Sequence, residues 1–128
     1  MTFQIFKKFM LMGIFFLIST VSIHAQEPNM QALIGQSLSK LQQSTPEKFL
    51  NCVAEIKRID DMFPDSIQPK FQMVLQSLNF SVMNPHAPET ENLMAGAEET
   101  IAKMEKMRNA NQSDICTLRG FLCMVRIV

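Results

Sequence analysis

Three cysteines, Cys52, Cys116 and Cys123, are the residues of this chain whose chemistry depends most on their surroundings. An odd number leaves at least one thiol without a partner inside one molecule. Cys116 and Cys123 are seven residues apart, which on one helix places them on the same face but about 10 Å apart along its axis. That separation excludes a disulfide between them. A bond from Cys52 to either one stays open, and the favoured alternative is that the thiols are buried as small apolar side chains.

Histidine and carboxylate side chains form no catalytic or metal-binding pattern. His86 is the one histidine beyond residue 25, and no second histidine or cysteine has the spacing of a metal ligand. We expect it to be a solvated loop residue. The pairs Asp60–Asp61 and Glu98–Glu99 are adjacent in sequence, so on a helix their side chains diverge instead of facing each other like the two carboxylates of a hydrolase. We expect both pairs to lie on solvated helix faces.

Methionine is the remaining residue type that suggests a ligand. Met94, Met104 and Met107 carry thioethers, which suit soft copper(I). They share a helical stripe with Ala97 and Ile101, however, so we expect them to fill the core. The sequence therefore predicts no catalytic residue, no cofactor and no metal ligand, and a protein that is not an enzyme.

The first 25 residues have the three parts of a secretory signal peptide. Lys7 and Lys8 form a positive start, residues 9–18 are an apolar run, and Ala25 is the small residue before Gln26. A membrane-spanning helix needs about 20 apolar residues, and this run is about half that long, so an uncleaved anchor is the weaker alternative. The sequence predicts a signal peptide over residues 1–25, cleaved between Ala25 and Gln26, and a periplasmic or secreted protein that meets the membrane only during export.

The net charge of the remaining segment, residues 26–128, limits the classes of partner that it can bind. The chain has 12 basic and 12 acidic residues, and loss of Lys7 and Lys8 leaves 10 against 12, a net charge of −2. A mildly acidic chain without a cluster of lysine and arginine lacks the electrostatic features of a nucleic-acid-binding protein. We therefore expect neither nucleic acid nor an anionic membrane surface as a partner.

Helical periodicity, interrupted by short joints, organises residues 26–128. Helices are predicted over about 30–43, 46–63, 67–82, 89–108 and from 113 onward, with Thr45 and Ser113 as caps and Pro46 at a first helical position. The inward stripe of the third helix is expected to be Ile67, Phe71, Val74, Leu75, Leu78 and Val82. Residues 120–128 are apolar almost to the end, without a C-capping glycine. From this we expect either a docked partner or, preferably, a domain that is incomplete at its C-terminus.

The succession of helices resembles a tetratricopeptide-like helical repeat. Ala97, Ile101 and Met104, followed by the turn at residues 109–114, are similar to the second helix of such a repeat, and residues 62–65 are similar to the turn that ends one. The whole chain resembles the N-terminal part of exported tetratricopeptide-like proteins of Gram-negative bacteria. This resemblance implies packed helix pairs and a protein-binding or scaffolding role.

The sequence thus predicts an all-α fold of antiparallel helix pairs after a signal peptide. The first function hypothesis is an exported, non-enzymatic interaction or scaffold module with a groove lined by the first helix of each pair. Two alternatives stay open: the N-terminal part of a small exported enzyme, and an inhibitor or regulatory bundle that docks through its apolar C-terminal helix.

Overall fold

A computed structural model describes residues 29–43 and 45–127 of the protein. The predicted signal peptide and its cleavage site at Ala25 and Gln26 lie outside these residues. The described chain is all-α and contains no strand, which confirms the predicted fold class at that level. It forms five helices: α1 Met30–Ser39, α2 Pro46–Met62, α3 Ile67–Met83, α4 Thr90–Glu105 and α5 Gln112–Val125, with a 3-10 turn at Lys40–Gln43 after α1. Within the same ranges no helix is long and apolar enough to cross a membrane.

Side-chain caps mark the starts of α2 and α5. The predicted start of α2, with Thr45 as the cap and Pro46 as the first helical residue, is confirmed. Thr45 Oγ1 accepts from the Lys48 amide at 3.4 Å, and Pro46 is in the first turn. The prediction that Ser113 caps α5 is wrong. Asn111 is the cap, and its side-chain oxygen accepts from the Ser113 amide at 2.9 Å. Asparagine offers a carbonyl oxygen two residues upstream, so the chain becomes helical before Ser113 is reached.

The fourth helix is shorter than its periodicity predicts. It begins at Thr90 instead of Glu89 and ends at Glu105 instead of Arg108. Beyond Glu105 the Lys106 and Met107 amides bond to carbonyls three residues back, which tightens the chain into a turn. The partly buried Met107 therefore lies in the connection to α5 although its spacing continues the helical stripe.

Helix α3 is the centre of the packing. It lies against α2, α4 and α5, while α1 packs on α2. Connections of four to six residues between α2, α3, α4 and α5 are short enough to fold each helix back on the one before it. The largest apolar cluster joins α3, α4 and α5 and consists of Val74, Leu78, Ala97, Ile101, Met104, Ile115, Leu118, Leu122 and Val125.

The central position of α3 explains two errors in the predicted core. Val82, expected inward, is 38% exposed, whereas Phe80, assigned to no stripe, is fully buried. Phe80 packs with Phe49 and Val53 of α2, and the rings of Phe49 and Phe80 are 5.8 Å apart between centroids. A helix covered on two sides buries two stripes, so the single stripe that marks a surface helix is an incomplete description of α3.

Candidate functional site: a cleft between helices α2 and α4

A depression in the described surface lies between α2 and α4, with α3 at its floor. It has a volume of about 310 Å³. Its lining combines apolar, hydroxyl and charged side chains from the three helices: Val53, Lys57, Asp60, Asp61, Met73, Ser77, Asn92, Leu93, Gly96, Ala97, Glu99, Thr100 and Lys103. The volume is near the lower end of the range of about 300–1,000 Å³ that is typical of ligand sites. The cleft therefore has room for a few side chains.

Charges of both signs lie along the two walls. On the α4 side Lys103 Nζ is 2.9 Å from Glu99 Oε1, one helical turn away. Its hydrogen bond to Lys103 lowers the pKa of Glu99, and the positive charge of Lys57 on the opposite wall adds to that effect. The pKa of Lys103 is raised, first by Glu99 and to a lesser degree by Asp60 across the cleft. The walls thus present alternating charges to each other.

Two hydroxyl groups line the deeper part. Ser77 and Thr100 are buried, and each donates its hydroxyl proton to a carbonyl of its own helix: Ser77 Oγ to Met73 O at 2.7 Å, and Thr100 Oγ1 to Gly96 O at 2.8 Å. With their protons engaged, both oxygens are left as hydrogen-bond acceptors. Nucleophilic use of either oxygen would require a base to remove its proton, and the ionisable side chains that line this cleft are Lys57, Asp60, Asp61, Glu99 and Lys103.

The α2 wall is fixed by an ion pair that sequence reasoning missed. Lys70 of α3 is only 7% exposed, and its Nζ donates to Asp60 Oδ1 at 2.7 Å and to Pro64 O at 2.6 Å. The expectation of two solvated acids at Asp60 and Asp61 is therefore wrong for Asp60, while Asp61 is exposed. The available signal was the position of Lys70, three residues after Ile67, which places it on the same helical face.

The other acidic pair lies on exposed helix surface, as expected. Glu98 bonds to Arg126, and Glu99 to Lys103. His86 is exposed in the connection between α3 and α4, which confirms its place in a loop. In residues 29–43 and 45–127, no three His, Cys, Asp or Glu side chains lie close enough together to hold a metal ion.

Two of the three methionines predicted to fill the core contribute to it, whereas Met107 lies partly buried in the connection between α4 and α5. Met104 is fully buried in the α3–α4–α5 cluster, and Met94 packs against that cluster. Both therefore contact apolar side chains, as expected from the stripe they share with Ala97 and Ile101.

The three thiols differ in exposure, which corrects the expectation that all are buried. Cys52 is 2% exposed on α2 and donates its thiol hydrogen to Ser37 O at 3.1 Å. Burial raises its pKa, and the nearby carboxylate of Glu55 raises it further. Cys116 and Cys123 are exposed on α5, where Ile115, Leu118, Leu122 and Val125 occupy the face toward the core. All three are free thiols, so the structure contains no bond from Cys52 to either cysteine of α5.

The remaining part of α5 is tied to α4 by charge. Arg119 Nε donates to Glu105 Oε1 at 2.6 Å, and Arg126, at the C-terminal end of α5, bonds to Glu98. Met124 and Ile127 stay 51% and 85% exposed.

Comparison of the chain with protein-family models, with curated proteins and with solved structures gives no match.

Proposed function

We propose that the protein is an exported, non-enzymatic binding module whose cleft between α2 and α4 receives a short segment of a partner protein. The observation that carries this proposal is the composition of the cleft. Apolar side chains such as Leu93 and Met73 lie beside hydroxyl acceptors and charged groups of both signs. A few convergent polar groups on an apolar surface are the usual features of a specific binding site.

The repeat-like order of the helices supports the same proposal. If α2 and α3 form one helix pair and α4 and α5 the next, the cleft lies between the first helices of the two pairs. Helical-repeat proteins bind their partners on surfaces of this kind, formed by equivalent helices of successive repeats. The tetratricopeptide-like arrangement is thus part of the proposal.

Charge and size define the segment that fits. Lys57 and Lys103 offer cationic partners, and Asp61 and Glu99 offer anionic ones. A volume of about 310 Å³ limits the buried part to a few side chains. We therefore expect a peptide in which an acidic and a basic residue flank a small apolar one.

A displayed library of random peptides, selected against the purified chain, tests this proposal. Gly96 lines the cleft and a Cβ added there meets no atom within 4 Å, so Gly96→Trp would fill the cleft without a backbone clash. Gly35→Trp is the matched control, because Gly35 is equally unobstructed but lies on α1. Peptides selected on the wild type should bind Gly35→Trp unchanged and lose at least about tenfold in affinity, or about 1.4 kcal/mol, on Gly96→Trp. Equal binding to both variants, or no enriched peptide, would contradict the proposal.

Export is tested separately by the mass of the recovered protein. The full chain, expressed in a Gram-negative host, should appear in the periplasmic fraction with residues 1–25 removed and Gln26 as its first residue. Replacing the small residue at the cut, as in Ala25→Arg, should leave the chain uncleaved and membrane-associated. Recovery of the uncut wild-type chain from the cytoplasm would overturn the proposed export without affecting the proposed cleft.

A further inference from the structure

The outward side of α5 has an unusual surface for an exposed helix. We define the outer face of α5 as a set of exposed, uncharged residues on this side of the helix. They are Ser113, Cys116, Thr117, Gly120, Cys123 and Met124, with Ile127 in the turn that follows. The two arginines of the helix, Arg119 and Arg126, lie at its edge and bond to Glu105 and Glu98 of α4. The face therefore combines exposed apolar groups with two free thiols.

Neither thiol on this face has a partner within reach in the same molecule. Cys116 and Cys123 are separated by about two helical turns, or about 10 Å along the axis, which exceeds the span of a disulfide. Cys52 is buried on α2 with its thiol bonded to Ser37 O. A disulfide of Cys116 or Cys123 therefore requires another molecule.

The spacing of the two cysteines is self-complementary. When two copies of one helix pack antiparallel about a twofold axis, residues at equal distances on either side of the axis face each other. The midpoint between Cys116 and Cys123 falls between Arg119 and Gly120. An axis at that point would place Cys116 opposite Cys123 of the second copy and Cys123 opposite Cys116 of the second copy, with Arg119 and Gly120 on either side of the axis.

The distances suit disulfide formation. Packed helices have axes about 8–10 Å apart, and Cα atoms lie about 2.3 Å from each axis, so facing Cα atoms are about 3.5–5.5 Å apart. This overlaps the span of about 4.4–6.8 Å between the Cα atoms of a disulfide. Gly120 favours such an approach because it carries no side chain at the crossing point. We propose that the protein forms an antiparallel homodimer through the outer face of α5, closed by two symmetric disulfides between Cys116 of one copy and Cys123 of the other.

The size of the face explains why covalent bonds are needed. A helix of 14 residues is about 21 Å long and about 10 Å wide, so α5 offers about 200 Å² to a second copy. A stable non-covalent interface buries about 800 Å² on each partner. Contact through Met124, Ile127 and the small residues around Gly120 thus orients the two helices, and the disulfides hold them together. Arg119 lies close to the proposed axis, but its charge is balanced by Glu105 in each copy, which limits repulsion there.

Bond formation requires a two-electron oxidant, for which a small-molecule disulfide such as oxidised glutathione suffices. The Cys116 thiolate attacks one sulfur of that disulfide, a mixed disulfide forms, and one small thiol leaves. The Cys123 thiolate of the second copy then displaces the second small thiol. For each bond the two protein thiols are oxidised to one disulfide, and one oxidant molecule is reduced to two thiols that carry the two protons away.

The full chain, purified in the reduced state and treated with oxidised glutathione, tests the proposal. On a non-reducing gel the band at 14.6 kDa should shift to twice that mass and return after treatment with dithiothreitol. Trypsin cuts after Arg108, Arg119 and Arg126, so Cys116 and Cys123 fall in different peptides, residues 109–119 and 120–126. The expected product joins one peptide of each kind. Joining of two identical peptides would show parallel packing or another antiparallel register, and would overturn the proposal, as would a persistent monomer.

Single variants sharpen the test. Cys116→Ser and Cys123→Ser should each stay monomeric alone, because the remaining thiol would face a serine in the second copy. An equimolar mixture of the two should give a disulfide-linked heterodimer with one bond. Cys52→Ser should dimerise like the wild type. Dimers of either single variant, or none from the mixture, would contradict the antiparallel pairing.

A variant at the crossing point tests the contact itself. A Cβ at Gly120 meets no atom within 4 Å, so Gly120→Phe should leave the helix content of the reduced monomer unchanged. In the dimer its ring would separate the two helices and prevent disulfide formation. Gly35→Phe on α1 is the matched control and should dimerise normally. Equal dimer yields from both variants would show that Gly120 does not lie between the helices.

Discussion

Lys70 Nζ lies 2.7 Å from Asp60 Oδ1, and the two side chains are only 8% and 17% exposed. A buried ammonium group is stable only when a counter-charge and hydrogen-bond acceptors replace its water. Asp60 supplies the charge, and Pro64 O, at 2.6 Å, supplies a second acceptor. The pair thus joins the end of α2 to the beginning of α3 and holds the α2 wall of the cleft in place.

Replacing Lys70 by methionine should destabilise the protein substantially. The apolar chain would keep most of the packing, but Asp60 would lose its partner while largely buried. Breaking a buried pair on one side costs about 3–5 kcal/mol, and we expect about 3 kcal/mol because Asp60 keeps some contact with water. The free energy of unfolding in urea measures this loss. Lys103→Met, which removes the exposed ion pair with Glu99, is the control and should leave the unfolding midpoint unchanged. Equal effects of the two variants would contradict the claim that the buried pair stabilises the protein more than the exposed one.

Glu55 should make the stability depend on pH in the acidic range. Ser37 Oγ donates to Glu55 Oε2 at 2.7 Å, and Lys40 Nζ lies 2.9 Å from both carboxylate oxygens. The hydrogen bond from Ser37, followed by that from Lys40, lowers the pKa of Glu55 from its usual 4.5. Because the folded-state pKa is the lower one, the stabilisation is complete above about pH 4.5 and is lost as the pH falls through the folded-state pKa.

The comparison of wild type and Glu55→Gln at several pH values measures this contribution. The difference in the free energy of unfolding should be largest near neutral pH and should shrink below pH 4.5. Ser37→Ala should weaken the pH dependence, because it removes the main cause of the lowered pKa of Glu55. A difference that stays constant from neutral to acidic pH would show that the carboxylate charge does not contribute.

The positions of the helices were predictable because they depend on local signals. Thr45 and Pro46 start α2 as expected, and the stripe of Ile115, Leu118, Leu122 and Val125 is buried as its spacing predicts. Periodicity describes one buried face of a helix at a time. It therefore could not identify Phe80, which is buried on the second face of α3 against α2.

The candidate cleft was less predictable than the helices because it depends on how α2 and α4 are placed on α3. The charges of Lys57 and Glu99 belong to different helices, and their sequence positions do not show that they oppose each other. Lys70 illustrates the same limit. Its position on an apolar face was visible, but its partners at Asp60 and Pro64 are defined only by the connection between α2 and α3.

The correction at the start of α5 predicts different effects at two neighbouring positions. Asn111 accepts a hydrogen bond from the Ser113 amide, whereas Ser113 is an exposed residue inside the first turn. Asn111→Ala should lower the free energy of unfolding by about 1 kcal/mol, the typical value of a helix cap. Ser113→Ala should change it by less than about 0.5 kcal/mol. The reverse order of the two effects would restore Ser113 as the cap.

The two-sided packing of α3 predicts a contrast between Leu78 and Val82. Leu78 is fully buried in the α3–α4–α5 cluster, and Leu78→Ala should cost about 2–5 kcal/mol because it leaves a cavity. Val82 is 38% exposed, so Val82→Ala should stay within about 0.5 kcal/mol of the wild type. Urea unfolding compares the two, and a loss at Val82 as large as that at Leu78 would place Val82 in the core.

The different environments of the three thiols predict their reactivity in the native protein. Thiolates are the reactive species, and the pKa of Cys52 is raised by burial, while its Sγ bonds to Ser37 O. Cys116 and Cys123 are exposed on α5. N-ethylmaleimide should therefore add twice to the native, reduced chain, and a third time only in guanidinium chloride, as intact mass shows. The Cys52→Ser variant should gain the same two adducts when native and no third when unfolded. Three adducts formed at one rate in the native wild type would show that Cys52 is accessible and would contradict its burial on α2.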